Sequence, residues 1–224
     1  MRELATWKMM FYVLAVTTGL ASLRADDPQP PRSTVAQLAL LDKITGIGSL
    51  KFGAAFDSFD KGALVYVGNP GAPTSDYVYT TTDQITWGTL VPNGIVLTFY
   101  YNELVGITLH FNETNATLIS VNQAFVQKYG ASPNERQFTF ASGQNQAFQY
   151  FTGGLWVTPN ISVNVSLPDR IPPQSSEDFL TKKVDGALQI FDTGLENKLT
   201  QQKQDALRSQ LLKDQNLDKI KADL

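Results

Sequence analysis

Short segments in which apolar and polar residues alternate run through the middle of the chain, and they restrict its fold more than any other feature. Between residues 63 and 167 they read ALVYVG, DYVYTTT, ITWGTL, GIVLTFYY, LVGITLHF, RQFTFA, AFQYF and ISVNVSL. Gly, Pro, Asn and Asp, which favour turns, separate them. Because alternation places every second side chain on one face of a strand, the pattern predicts short strands joined by hairpins.

Two helical patterns accompany these strands. The segment 33–45, STVAQLALLDKIT, has Ser33 or Thr34 as its N-cap and is expected to end near Gly46 or Gly48. The segment 115–130, NATLISVNQAFVQKYG, ends on a glycine and has four apolar residues on one face: Leu118, Val121, Phe125 and Tyr129. We therefore predict an α+β domain over residues 33–173, an antiparallel sheet with one or two packed helices.

The remaining residues, 174–224, are predicted to be a helical C-terminal extension beyond the break LPDRIPPQSS. Ser175 and Asp178 fit a capping box, and Thr193 with Glu196 fits a second cap after a bend at DTGLE. Apolar residues recur at helical spacing: Leu180, Val184, Leu188, Phe191 and Leu195. We expect residues 176–224 to dock on their own domain, to self-associate or to bind a protein partner.

The N-terminus predicts export. A basic start with Arg2 and Lys8 precedes an apolar run of residues 9–23, and Ala25 offers a cleavage point. We predict a signal peptide over residues 1–25, a proline-rich linker over 26–32 and a secreted or periplasmic location. The apolar run is short for a bilayer span, so no stable membrane insertion is expected after cleavage.

Composition excludes several classes of function. The chain has no cysteine, one histidine and a formal net charge of −3. Disulfides, thiolate catalysis, iron–sulfur clusters and histidine-rich metal sites are therefore excluded within one chain. A nucleic-acid partner is not expected, because there is no basic surplus to offset phosphate charge. We predict no cofactor and no metal site.

The single histidine, His110, lies in VLTFYYNELVGITLHFN, residues 96–112, which reads as a hairpin. A two-residue turn at Asn102 and Glu103 pairs Phe99 with Gly106 and mixes both faces. A longer turn or a bulge pairs Phe99 with Ile107 and collects the large apolar residues on one face. We prefer the second register because a buried face specifies register strongly.

In the preferred register, four residues share the more polar face and form the candidate binding site: Thr98, Tyr100, Thr108 and His110. Since no nucleophile motif accompanies His110, no catalytic residue is predicted.

The stretch LTFYYNELVGITLHF, followed by a helix that ends in FVQKYGASP, resembles uncharacterised secreted bacterial α+β domains. Those domains have a hairpin of the form F-x-x-x-x-L-x-x-I and then a helix ending in Y-G-x-P. The match covers residues 95–133 and departs from the pattern in having GASP, where one spacer residue is usual, and in its long polar tail. The motif consists of turn, core and cap residues, so the resemblance implies an α+β fold and export but transfers no active site.

These features favour an exported, non-enzymatic protein with an interaction or structural role. One alternative is a small ligand- or glycan-binding module that uses the sheet face, and it requires a contiguous exposed aromatic patch. Tyr77, Tyr79, Ile85 and Trp87 alternate in the way such a patch requires, but core packing is the expected role of this pattern. A second alternative is a carboxylate-dependent hydrolase that uses Asp57 and Asp60.

Overall fold

A computed structural model describes residues 33–68, 73–132, 136–142, 146–166 and 181–222. The helices are α1 (Val35–Leu41), α2 (Asn115–Tyr129) and α3 (Thr193–Ala222). The strands are β1 (Gly46–Ile47), β2 (Leu50–Lys51), β3 (Leu64–Gly68), β4 (Thr74–Tyr79), β5 (Gly94–Tyr100), β6 (Glu103–Thr114), β7 (Arg136–Ser142), β8 (Gln146–Val157), β9 (Ile161–Ser166) and β10 (Lys183–Asp192).

Within the described residues, eight strands form one antiparallel sheet in the order β3-β4-β5-β6-β10-β9-β8-β7, and β1 and β2 form a separate small hairpin. The predicted α+β class, with an antiparallel sheet, packed helices and a C-terminal helix, is confirmed. The segment ITWGTL, however, is not a strand. An isolated bridge between Trp87 and Leu90 closes a turn there, in which Gly88 has φ +61°.

The core lies between one face of the sheet and helices α1 and α2. Its largest fully buried side chains are Trp156, Phe99 and Phe111. Trp156 packs edge-on against Phe125 of α2 at 4.9 Å between ring centroids, and its indole nitrogen donates a hydrogen bond to the Gly130 carbonyl at 2.9 Å. This face therefore fixes α2 against the strands, and we call the opposite face of the sheet the open face.

Helix α1 begins as predicted and ends earlier. Thr34 is the N-cap in a capping box with Gln37, and Asp42 follows the last helical residue. The Asp42 carboxylate accepts a hydrogen bond from the Thr158 hydroxyl, which ties this helix end to the loop before β9. The chain then turns into the β1–β2 hairpin, so Gly46 belongs to that hairpin and does not cap the helix.

The prediction that residues 174–224 form a helical extension is wrong for residues 183–192. This segment is β10, which lies inside the sheet between β6 and β9. Val184 and Leu188 are four residues apart, a spacing that puts two side chains on one face of a helix and also on one face of a strand. The sequence pattern therefore predicted a helix where the chain forms a strand, and the C-terminal helix begins only at Thr193. Ser175, Asp178 and Leu180 lie outside the described residues.

The cap of α3 also differs from the prediction. Asp192 is the last residue of β10, and its carboxylate accepts a hydrogen bond from the Leu195 amide at 2.7 Å. Asp192 therefore acts as the N-cap in place of the predicted pair of Thr193 and Glu196.

The hairpin of β5 and β6 adopts neither predicted register. Its two-residue turn is Tyr101–Asn102, both at positive φ (47° and 67°). Phe99 pairs with Leu104, and a bulge at Val105 then shifts the pairing so that Leu97 lies opposite Ile107. Because the bulge restores the parity of the preferred register, Leu97, Ile107 and Leu109 still share the core face, whereas Val105 packs with Tyr100 on the other face.

Asn122 of α2 is 1% exposed, and neither its amide nitrogen nor its amide oxygen has a hydrogen-bond partner among the described residues. A buried amide without partners costs stability, so Asn122→Leu is expected to raise the free energy of unfolding by about 1–2 kcal/mol. Urea unfolding of the variant and of the original chain measures this, with the exposed Ser120→Leu on the same helix as control. A loss of stability in Asn122→Leu alone would mean that the amide has a stabilising role.

Candidate functional site

A concavity of ≈ 350 Å³ lies on the open face of the sheet. Four strands contribute its lining, β4, β5, β6 and β10, and the lining residues are Thr74, Asp76, Val96, Thr98, Thr108, His110, Gln189 and Phe191.

The register of the strands explains why these residues meet. Asp76 lies opposite Thr98, whose other neighbour, Gly106, lies opposite Phe191. The next row across the same strands contains Val96, Thr108 and Gln189. Since side chains two residues apart point to the same face, the two rows form one continuous surface.

The structure brings together three of the four predicted binding residues and separates the fourth. Thr98, Thr108 and His110 line the concavity. Tyr100 does not: its hydroxyl lies 2.8 Å from the Thr200 hydroxyl of α3, and its ring is buried. The first turns of α3 cover this end of the open face, a contact that the sequence pattern did not reveal.

The predicted site lacked five further lining residues: Thr74, Asp76, Val96, Gln189 and Phe191. The last two belong to β10, whose sequence was read as helix. Asp76 directly precedes the alternating residues YVYT in DYVYTTT. Pairing this strand pattern with GIVLTFYY could have identified Asp76 as a neighbour of the predicted site.

Two hydrogen bonds orient polar side chains in the concavity. The Thr98 hydroxyl donates to Asp76 Oδ1 at 2.7 Å, and the Asn164 amide donates to Gln189 Oε1 at 2.8 Å. Among the described residues, Asp76 Oδ2, Thr108 Oγ1 and the His110 imidazole make no side-chain hydrogen bond. These groups remain available to a ligand.

Gly106 allows the Phe191 ring to lie across the sheet. A Cβ atom at Gly106 would lie 2.6 Å from Phe191 Cδ1 and 2.9 Å from Thr98 Cβ. The ring therefore occupies the space above the glycine and reaches toward Thr98. This places an aromatic surface beside the hydroxyl that contacts Asp76.

The C-terminal helix provides a second exposed surface. Its start is docked: Leu199 packs against Tyr100 and Val105, and the Lys203 ammonium lies 5.0 Å from the Tyr101 ring centroid. Every residue from 201 to 215 is exposed. We call residues 204–215 the free segment, and its three leucines, Leu207, Leu211 and Leu212, are 62%, 63% and 54% exposed.

The two carboxylates considered for hydrolysis make local contacts. Asp57 forms an exposed ion pair with Lys61 at 2.9 Å, and the hydrogen bond and charge of Asp57 raise the pKa of Lys61. Asp60 Oδ1 accepts a hydrogen bond from the Gly62 amide at 2.9 Å. Neither residue lines the concavity. Groups of three or more metal-ligating side chains do not occur in the described part of the chain.

The predicted aromatic alternation is a core feature. Ile85 is buried, and Tyr77, Tyr79 and Trp87 pack partly buried against the core. Among the described aromatic residues, the large exposed ones are Tyr66 and Tyr101, on β3 and in the β5–β6 turn. They do not line the concavity.

No family model, curated protein or solved structure matches the chain. None of the described helices combines the length and the apolar character needed to cross a membrane.

Proposed function

We propose that the chain is an exported, non-enzymatic interaction protein that uses the free segment of α3 to contact a protein partner. The observation that carries this proposal is the exposure of three leucines on a helix that continues past its described contacts with the sheet. Export rests on the signal-like N-terminal sequence.

The length of α3 supports this role. A helix of 30 residues is about 45 Å long, and the docked contacts end at Lys203. Helices without tertiary packing are marginal in water, so an exposed continuation gains stability when a partner covers its apolar side chains. Leu207 and Leu211, four residues apart, lie on one face, which suits an apolar groove on a partner protein.

The charges of the free segment favour a protein over a membrane surface. The helix carries both signs of charge there, with Asp205 and Asp214 on either side of Arg208 and Lys213. Helices that lie on anionic membranes have a strongly basic polar face, and this mixture of signs lacks one.

Photo-crosslinking in the source cells tests the proposal. We expect a photoreactive residue at position 211 to crosslink to a partner protein. The same residue at position 209, on the opposite side of the helix, is expected to give little crosslinking. The helical geometry places the two positions about 160° apart, which makes Ser209 a matched control.

A second variant separates the outcomes. Leu207→Gln with position 211 photoreactive is expected to weaken the crosslink, because it removes the neighbouring apolar contact. A crosslink to a second copy of the chain identifies self-association in place of a foreign partner. Equal crosslinking at positions 209 and 211, or none at either, would refute a face-specific interaction.

A further inference from the structure

We propose that the concavity on the open face binds the ammonium group of a small organic cation, with Asp76 as its counter-ion. This inference is independent of the proposed role of α3, because the free segment contributes no lining residue.

The first argument concerns charge. Asp76 is half-buried, and its Oδ1 accepts a hydrogen bond from the Thr98 hydroxyl. The described lining residues include no lysine or arginine, so none of them neutralises this carboxylate. A partly buried carboxylate is stabilised by a cation that donates charge-assisted hydrogen bonds, and an ammonium group can donate such a bond to Asp76 Oδ2. Anionic ligands are disfavoured for the same reason.

The second argument concerns the aromatic ring beside this carboxylate. Phe191 lies across Gly106 and reaches the neighbourhood of Thr98, which itself holds Asp76. Organic cations are attracted to the faces of aromatic rings, and the hydrocarbon next to an ammonium group packs on apolar side chains. Phe191 and Val96 supply that apolar contact in the lining.

The third argument concerns the rest of the ligand. Thr108 and Gln189 lie in the adjacent row, and Asn164 holds the Gln189 amide through Oε1, which leaves its nitrogen as a donor. Asp76 and Gln189 are on β4 and β10, three strand spacings apart, or about 14 Å between backbones. The concavity therefore suits a short, extended amine with a hydrogen-bond acceptor at its far end. A free amine and a lysine side chain of a peptide share this chemistry.

His110 provides a direct test. It is the single histidine of the chain and lines the concavity, so its imidazole Hε1 proton gives one NMR signal from the site when the full chain carries no histidine tag. The probes are butylammonium, the neutral 1-butanol and the anionic butyrate. We expect a saturable shift of the imidazole signal with butylammonium and none with the other two at equal concentration.

Two variants complete the test. Asp76→Asn keeps the side-chain shape and an acceptor for Thr98, and we expect it to weaken butylammonium binding by about tenfold or more. Asp185→Asn is the matched control on the same face: this exposed carboxylate contacts Asn112, does not line the concavity and is expected to leave binding unchanged.

The outcomes are distinct. Equal shifts with butanol and butylammonium, or unchanged binding in Asp76→Asn, would overturn the assignment of an ammonium site. Equal losses of butylammonium affinity in Asp76→Asn and Asp185→Asn would show that the general charge of the surface causes the binding. That result would also overturn the assignment. Lysine methyl ester and a lysine-containing tripeptide then distinguish a free amine from a peptide side chain as the source of the ammonium group.

Discussion

A chain that lacks residues 183–224 is expected not to fold, whereas a chain that lacks only residues 204–224 is expected to keep its fold. The longer deletion removes β10, which forms ladders with both β6 and β9 and lies inside the sheet. It also removes the buried side chains of Leu188 and Ile190. A chain ending at residue 173, the predicted domain boundary, loses the same strand.

The magnitude follows from the core. Loss of a buried leucine or isoleucine side chain costs about 2–5 kcal/mol, and the stability of a whole domain is about 5–15 kcal/mol. Loss of two such side chains and of two strand ladders exceeds the free energy of unfolding of a domain of this size. Circular dichroism and urea unfolding measure the result, and a cooperative transition in the chain lacking residues 183–224 would contradict the central position of β10.

The shorter deletion is the matched control. It removes the free segment together with residues 216–224, and it keeps the contacts of Leu199 and Lys203 with Tyr100 and Tyr101. Because residues 204–215 are exposed, we expect the free energy of unfolding to change by less than about 1 kcal/mol. A large loss of stability here would show that the free segment packs on its own chain, contrary to the proposed interaction role.

Gly130→Ala is expected to lower the free energy of unfolding by about 2–4 kcal/mol, the sum of backbone strain and overpacking. Gly130 caps α2 at φ +80°, a conformation that L side chains rarely adopt. A Cβ atom there would clash with the Ser33 backbone and lie 2.7 Å from Ser33 Oγ. The same glycine accepts the hydrogen bond of Trp156, so the strain acts on the centre of the core.

Gly88→Ala separates the two contributions. Gly88 also has positive φ (+61°), but a Cβ atom there would meet its nearest neighbour, Val121 Cγ1, at 3.5 Å, an ordinary contact. This control therefore reports the backbone strain alone, about 1–2 kcal/mol. Urea unfolding of both variants measures the difference. Equal losses in the two variants would mean that the start of α1 moves away from α2 at little cost.

The predictions that succeeded depended on local signals. Helix α2 ends beside Gly130 as predicted, because a C-terminal glycine can adopt a backbone that other residues avoid. Thr34, one of the two predicted N-cap residues of α1, caps that helix, and the signal lies within its first residues. The grouping of Thr98, Thr108 and His110 followed from the period of two along neighbouring strands.

The predictions that failed depended on partners distant in the chain. Leu188 fits the apolar face of a helix or of a strand, and it became a strand residue because Leu109 and Val165 flank it in the sheet. Tyr100 lies outside the concavity because its hydroxyl contacts the hydroxyl of Thr200, 100 residues away in the chain. Asp76 and Phe191 line one concavity because β4, β5, β6 and β10 are adjacent in the sheet.

Local patterns in the sequence were thus sufficient to predict the α+β class, most of the strands, the α2 helix and the polar face that carries His110. Each of these depends on periodicity or capping, which act over one segment and are visible in its residues. Contacts between distant segments determine that β10 lies inside the sheet, that α3 covers one end of the open face and that Asp76 and Phe191 line the same concavity. Pairing of strands far apart in sequence is decided by burial and hydrogen bonding in the assembled sheet, and a segment compatible with two periods takes the conformation that its neighbours stabilise.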